Sequence, residues 1–332
     1  MAMAAKEYVF SVRINRESRS SEVSHDGHIS KEELKIALQD DTVANKIIDS
    51  FKKYGRDYKL KLRDYLTWYI PNYPTPVEFR TSEASHATHA DALDGILDSE
   101  GFKADGDDLK FSWWSLKIDE ECIKAAEERY LEEVFPTRSQ EQRERQEAFL
   151  SKFTTSPAFH IHESRYGNFR FIFSINELME AYKEQFCGGR DPVLREYKTM
   201  FYKQEIMYAV LVHSPDDDEK FQNYSRIEES KFVDYKDNQI VWRAQAIGDN
   251  IKFNLMLDEE NRTANVEPVL GKKYYVWDHV CLAFHFNDVL MFDKDTLLQN
   301  CIPCKPAEIK TGKGKWCTYK EAEKILKDLK QS

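Results

Sequence analysis

Hydrophobic residues in this chain recur at two periods, and the switches between them mark most of its elements. In "NFRFIF", phenylalanines stand at 169, 171 and 173, the every-second spacing that puts side chains on one face of a strand. Ser174 and Glu177 follow as an S-x-x-E capping box, so the strand is expected to pass straight into a helix over "INELMEAYKEQF", ended by Gly188 and Gly189. "VEFRTS" and "LKFSWWSLKI" read as strands. "THADALDGILDSEGF" reads as a helix with Leu93, Ile96 and Leu97 on one side and Gly101 as its C-terminal cap. Residues 119 to 134 carry Ile123, Ala126, Tyr130, Leu131 and Val134 on one helical stripe. The polar run "PTRSQEQRERQEAF" after them reads as an exposed insertion or a solvated helix extension. "VLREYKTMF", "EIMYAVLV", "QIVWRAQAI", "IKFNLML" and "KYYVWDHVCLAFHF" add strands, the second apolar on both faces and so expected near the sheet centre. A last helix begins at Thr318, capped with Glu321, and carries Ala322, Ile325, Leu326 and Leu329.

Three prolines in "IPNYPTPVEF", residues 70 to 79, interrupt helix and ladder alike and place a boundary near residue 74. Before it, "KEELKIAL" and "TVANKIIDSFKKYG" have helical spacing, and "KLKLRDYLTWYI" continues as strand then helix. The expected fold is α+β: a small helical region over 1–73, then a mixed β-sheet domain with flanking helices over 74–332.

Composition narrows this picture further. A hydrophobic share of 41% with 20 Phe and 17 Tyr excludes a disordered chain. A formal net charge of -10 argues against nucleic acid as a partner. No run approaches the roughly 18 apolar residues of a membrane span, and the start "MAMAAKEYVFSVRINRESRSS" lacks a signal peptide's apolar region, so no membrane and a cytoplasmic location are expected. The six scattered cysteines suit free thiols in a reducing compartment.

"EVSHDGHISKEEL" resembles the second half of an EF-hand loop, with Gly27, Ile29 and Glu33 at the turn, strand and final carboxylate positions. Glu22 and Ser24 fall at positions one and three, and no entering helix precedes them, so the likeness is degenerate; Ser30 and Glu33 also make an ordinary capping box. His86, His89, His160, His162 and the "CIPC" cysteines 301 and 304 do not combine into four zinc ligands at a recognisable spacing, so no metal is expected. "TGKGKW" lacks the P-loop spacing, and His213 ends an apolar strand without a nucleophile beside it.

"VEFRTSE", "FTTSPAF" and "YKQEIMYAVLV" occur in that order: an arginine at a strand start, a hydroxyl triplet before a strand, and a glutamate heading an apolar strand. The series resembles the arginine, serine-threonine-serine, glutamate order of one branch of the ADP-ribosyltransferases. That resemblance implies NAD as cofactor, with Arg80 on its phosphates or nicotinamide ribose, Thr154, Thr155 and Ser156 supporting the pocket, and Glu205 as the catalytic carboxylate. Lys203 stands where that family often has Gln or Glu, two residues before the glutamate, and Gln204 is adjacent to it. "WWSLKI", "FLSKFTTSPAF", "SRYGNFRF", "YKQEIMYAVLVHSP" and "IVWRAQAI" also resemble a family of uncharacterised fish proteins, over most of the chain after residue 77; this likeness carries no activity. The competing expectation is a non-catalytic module that binds an unknown protein partner.

Overall fold

The computed structural model describes residues 10–15, 20–28, 77–105, 109–152, 159, 161–202, 205–243, 253–268, 279–307, 310 and 314–331. The chain divides into units Met1–Arg63 and Asp64–Ser332, against an expected division near residue 74.

In the first unit the described residues form an antiparallel pair, β1 (Phe10–Asn15) and β2 (Ser20–His28), with Val12 opposite Val23 and Arg13 opposite Glu22. The stretch holding Glu22, Ser24 and Gly27 is therefore extended, a different backbone from the winding calcium loop that the sequence resembled. Ile29, Glu33 and the stretches expected to be helical lie outside the described residues.

The second unit runs through β3 (Glu78–Thr81), β4 (Glu83–Thr88), α1 (Ala90–Asp98), β5 (Gly101–Lys103), β6 (Phe111–Leu116), α2 (Glu120–Val134) and α3 (Gln140–Arg145). Next come β7 (Glu163–Ser164), β8 (Phe169–Ser174), α4 (Ile175–Phe186), β9 (Val193–Tyr202), β10 (Glu205–His213) and α5 (Asp218–Phe221). β11 (Val233–Lys236), β12 (Gln239–Arg243), β13 (Phe253–Asp258), β14 (Thr263–Pro268), β15 (His279–His285) and β16 (Val289–Met291) follow. α6 (Lys294–Asn300), β17 (Cys301–Pro303), β18 (Lys305–Pro306) and α7 (Tyr319–Leu329) complete it.

The main sheet has the order β17-β8-β4-β6-β15-β10-β9 and is mixed: β10 and β15 are parallel and every other neighbour is antiparallel. The fold is α+β, as the mixture of periods implied. The apolar strand "EIMYAVLV" is next to the edge rather than central, because β9 precedes it as a hairpin partner and, among the described residues, only that strand lies beyond.

One face of the sheet presents Ala84, Trp114, Phe169, Phe171, Phe173, Tyr208, Val210, Leu282 and Phe284, packed with residues of α1, α4, α6 and α7 in one core. Each fully buried phenylalanine contributes about 1.5–3 kcal/mol of transfer free energy, so β8, with Phe169, Phe171 and Phe173, is a large share of that core. The other face holds a smaller cluster built on Phe111, Met207, Ala209, Leu211, Cys281 and Ala283.

The expected capping boxes are present at Ser174 with Glu177 and at Thr318 with Glu321. Gly188 and Gly189 end α4 with φ of 58° and 78°, the left-handed region that favours glycine. Gly101 is not the cap of α1. Its Cα lies against the backbone of β16, where an added Cβ would stand 2.3 Å from the Leu290 carbonyl oxygen, so the left-handed turn falls to Glu100 instead.

β11, β12 and β3 form a separate three-stranded sheet with β3 at one edge. Its inner side carries Phe79 stacked on Trp242 at 5.3 Å between ring centroids, both sealed from solvent. α2 lies against β3 and buries Ile123, Ala126, Tyr130 and Leu131, the stripe read from the sequence.

Candidate functional site

Alternation along β3 decides where Arg80 points. Phe79 and Thr81 turn into the core, so Glu78 and Arg80 share the outer side, and the register places Arg243 of β12 directly opposite Glu78. Arg80 donates from Nε and Nη2 to one carboxylate oxygen of Glu78, at 3.0 and 2.9 Å. Arg243 Nη2 lies 3.6 Å from the other oxygen, and its Nη1 donates to the Lys231 carbonyl. From the open edge, Arg129 of α2 donates Nη2 to the Glu78 backbone carbonyl at 2.8 Å. Arg129 Nε is buried without a hydrogen-bond partner, and burial together with the Arg80 charge lowers its pKa. Two guanidinium groups therefore face the Glu78 carboxylate, and a third holds the backbone carbonyl of the same residue.

Glu205 heads β10, paired with Tyr202 across the hairpin. Cross-sheet register sets Ser85 level with Ser115, Ser115 with Cys281, and Cys281 with Ala209. β4 and β10 run in the same direction, so the β3–β4 junction and the start of β10 occupy the same end of the sheet, three strand spacings or about 14 Å apart. Thr154, Thr155 and Ser156, with Lys203 and Gln204, lie outside the described residues.

What leads toward the hydroxyl triplet is set by a residue the sequence reading passed over. Glu127 of α2 is buried and accepts from the backbone N–H groups of Phe149 and Leu150 at 2.8 and 2.7 Å. Burial raises its pKa, against the two N–H groups that lower it. The signal was present: Glu127 sits on the apolar stripe, one helical turn after Ile123 and one before Leu131.

A second polar cluster was not foreseen. His213 and His285 end the parallel strands β10 and β15, next to the last register pair, Val212 with Phe284. Phe221 packs between the rings at 4.9 and 5.0 Å. Arg195 Nε donates to His213 Nε2 at 3.0 Å, and because arginine has no acceptor, the ring proton must be on Nδ1, which donates to the Ser214 carbonyl at 2.8 Å. Lys220 likewise donates to His285 Nε2 at 2.9 Å, leaving Nδ1 to donate to the Lys110 carbonyl. Arg195 also donates to Asp218 and to the Tyr224 carbonyl. Burial lowers the pKa of both histidines. The cluster joins the strand ends to α5 and gives each nitrogen of Arg195 an acceptor.

The remaining candidates separate. His86 donates to the Trp113 carbonyl among Phe102 and Trp114, whereas His89 meets Trp316 edge-on at the start of α1. His162 is exposed, and His160 lies outside the described residues. Cys301 and Cys304 are buried; burial pushes the Cys301 thiol up to about 12 and raises that of Cys304. None of the six cysteines is in a disulfide. Among the described residues no group of three or more His, Cys, Asp or Glu is arranged to hold a metal ion, and no helix is long and apolar enough to cross a membrane.

No protein-family model, no curated protein and no solved structure matches this chain, so both resemblances rest on the residues quoted for them.

Proposed function

We propose that the second unit binds NAD and carries out ADP-ribosyl transfer or NAD hydrolysis in the cytoplasm. The observation that carries this reading is the half-exposed guanidinium of Arg80 within a group of three arginines, at the end of the sheet where Glu205 begins β10. A guanidinium fork matches two oxygens of a diphosphate. Thr154, Thr155 and Ser156 would support the pocket between Arg80 and Glu205. The bond from the ribose anomeric carbon to nicotinamide nitrogen breaks, nicotinamide leaves with the bonding pair, and the ribose becomes oxocarbenium-like. The Glu205 carboxylate would stabilise that charge. An acceptor group, or water, then forms the new bond to the same carbon and gives up its proton.

The test is NAD binding together with nicotinamide release by the full chain. Arg80→Ala is expected to remove binding, and Glu205→Ala to remove release while leaving binding in place. Correctly folded protein that neither binds NAD nor releases nicotinamide overturns the reading.

A non-catalytic module for a protein partner is favoured by a different region. Met256 and Leu257 are exposed large apolar residues on β13, beside a shallow groove lined also by Asp258, Thr263 and Asn265. An intact fold without NAD turnover, combined with loss of a partner on Met256→Ser, would move the function there.

A further inference from the structure

We propose that Glu78 is the resident anion of a three-arginine site, and that a diphosphate group binds there by displacing its side chain. This rests on the NAD reading only for the identity of the larger ligand; the site itself rests on geometry.

The charges do not balance within it. Arg80, Arg129 and Arg243 bring three fixed positive charges, and Glu78 supplies one negative charge, hydrogen-bonded to Arg80 alone. The carboxylate satisfies them unequally. One oxygen takes both Arg80 donors, while Arg243 stands 3.6 Å from the other, beyond hydrogen-bonding distance. Arg129 is anchored through the backbone carbonyl rather than the carboxylate, so it stays in place if the Glu78 side chain turns away. A diphosphate brings more oxygens and more charge than a carboxylate, and can engage Arg80 and Arg243 together.

Displacement is easy for a structural reason. Glu78 is 26% exposed and Arg80 50%, so their pair is solvent-screened, and when the carboxylate turns into water the half-buried Arg129 keeps its bond to the Glu78 backbone carbonyl. The platform beneath does not need to move, because Phe79 and Trp242 are stacked and sealed behind it and the Arg243–Glu78 register is fixed by the β3–β12 ladder. Asp234 lies farther out on β11 and is held by Lys236, and among the described residues no carboxylate other than Glu78 pairs with these arginines.

The experiment is calorimetric titration of inorganic pyrophosphate into the full chain and three variants whose melting curves match it. Glu78→Gln keeps the shape and removes the competitor; it is expected to bind pyrophosphate about threefold tighter or more, the scale of one exposed ion pair. Arg243→Gln is expected to bind about tenfold more weakly, the scale of a charge-assisted contact. Glu83→Gln, an equal change of net charge at a carboxylate held by Lys117, is expected to leave binding unchanged. Unchanged or weaker binding by Glu78→Gln, an equal gain in Glu83→Gln, or no binding by either wild type or Glu78→Gln at millimolar pyrophosphate overturns the proposal. Pyrophosphate binding with the expected pattern but no NAD binding upholds the site and removes the NAD reading.

Discussion

Around Glu78, three guanidinium groups gather at one residue, two facing its carboxylate and one on its backbone carbonyl; around His213, one guanidinium is divided among a histidine, a carbonyl and a carboxylate within the fold. The first lies in front of Phe79 and Trp242 of the main core and the second around Phe221 of the smaller one, and their donors end differently. Each nitrogen of Arg195 donates to a fixed acceptor, as an interior position demands. At the outer face of β3 water can stand in for a partner, so surplus charge is tolerated and is available to a ligand. Fixed acceptors mark the histidine cluster as structural, whereas surplus charge is what the proposed diphosphate site at the arginines rests on.

The contrast breaks most sharply at Arg195. Removing it strands a buried histidine nitrogen and the Tyr224 carbonyl, so Arg195→Ala is expected to cost about 3 kcal/mol or more, toward the range for breaking a buried charged pair. Urea unfolding measures this. A loss under about 1 kcal/mol would place Arg195 with the surface pairs.

Glu127→Ala comes next. It leaves two N–H groups unpaired at Phe149 and Leu150, at about 1–3 kcal/mol each if they stay buried. The variant also tests whether that anchor positions the segment leading to Thr154, because amide exchange at Phe149 and Leu150 should accelerate more than exchange in β8. Equal protection at both places would show that the carboxylate holds nothing in position.

Acidity separates the clusters without a mutation. His213 faces Arg195, Asp217 and Asp218; His285 faces Lys220 and Asp217; both have folded pKa values lowered by burial. The unfolded chain therefore takes up protons first as pH falls below the ordinary value of 6.5, and stability falls with it through the window between the unfolded and folded values. Asp218, whose pKa is lowered chiefly by its bond to Arg195, adds a second loss only near and below 3.8. The unfolding midpoint in urea is expected to drop between pH 7 and pH 5.5, and that drop should be reduced in a His213→Gln, His285→Gln double variant. A midpoint flat over this range contradicts the assignment of neutral, cation-facing imidazoles.

What the sequence disclosed follows from how local each cause is. Phe169, Phe171 and Phe173, the Ser174 and Thr318 boxes and the α2 stripe depend on neighbours a few residues away, and the structure has them where periodicity placed them. Gly101 was misjudged because the constraint on it comes from the Leu290 backbone, far along the chain. The position of "EIMYAVLV" was misjudged because an apolar strand is equally at home anywhere both faces are covered, and only the β9 hairpin and the parallel partner β15 fix its place. Arg80 was legible as a residue; its setting was not, since Arg129 and Arg243 are brought to it by a helix and by a strand more than 150 residues later. The histidine cluster joins Arg195, His213, Asp218, Lys220 and His285, and no spacing rule connects strand ends that become neighbours only through a parallel pairing.

The smallest effect is the one that the comparison most depends on. If Glu78 is a displaceable counter-ion, then Glu78→Gln should change unfolding free energy by less than about 1 kcal/mol in either direction, because an exposed pair gains little and its loss also relieves the ordering of two long side chains. Arg243→Gln should behave alike, with its aliphatic stem still covering the strand and its Lys231 contact replaceable by water. Each is read against Arg195→Ala under the same conditions. A loss of several kcal/mol on Glu78→Gln would mean that the three arginines repel one another enough to need the carboxylate for folding, making the cluster a structural network like the one at His213 and leaving no surplus charge for a ligand.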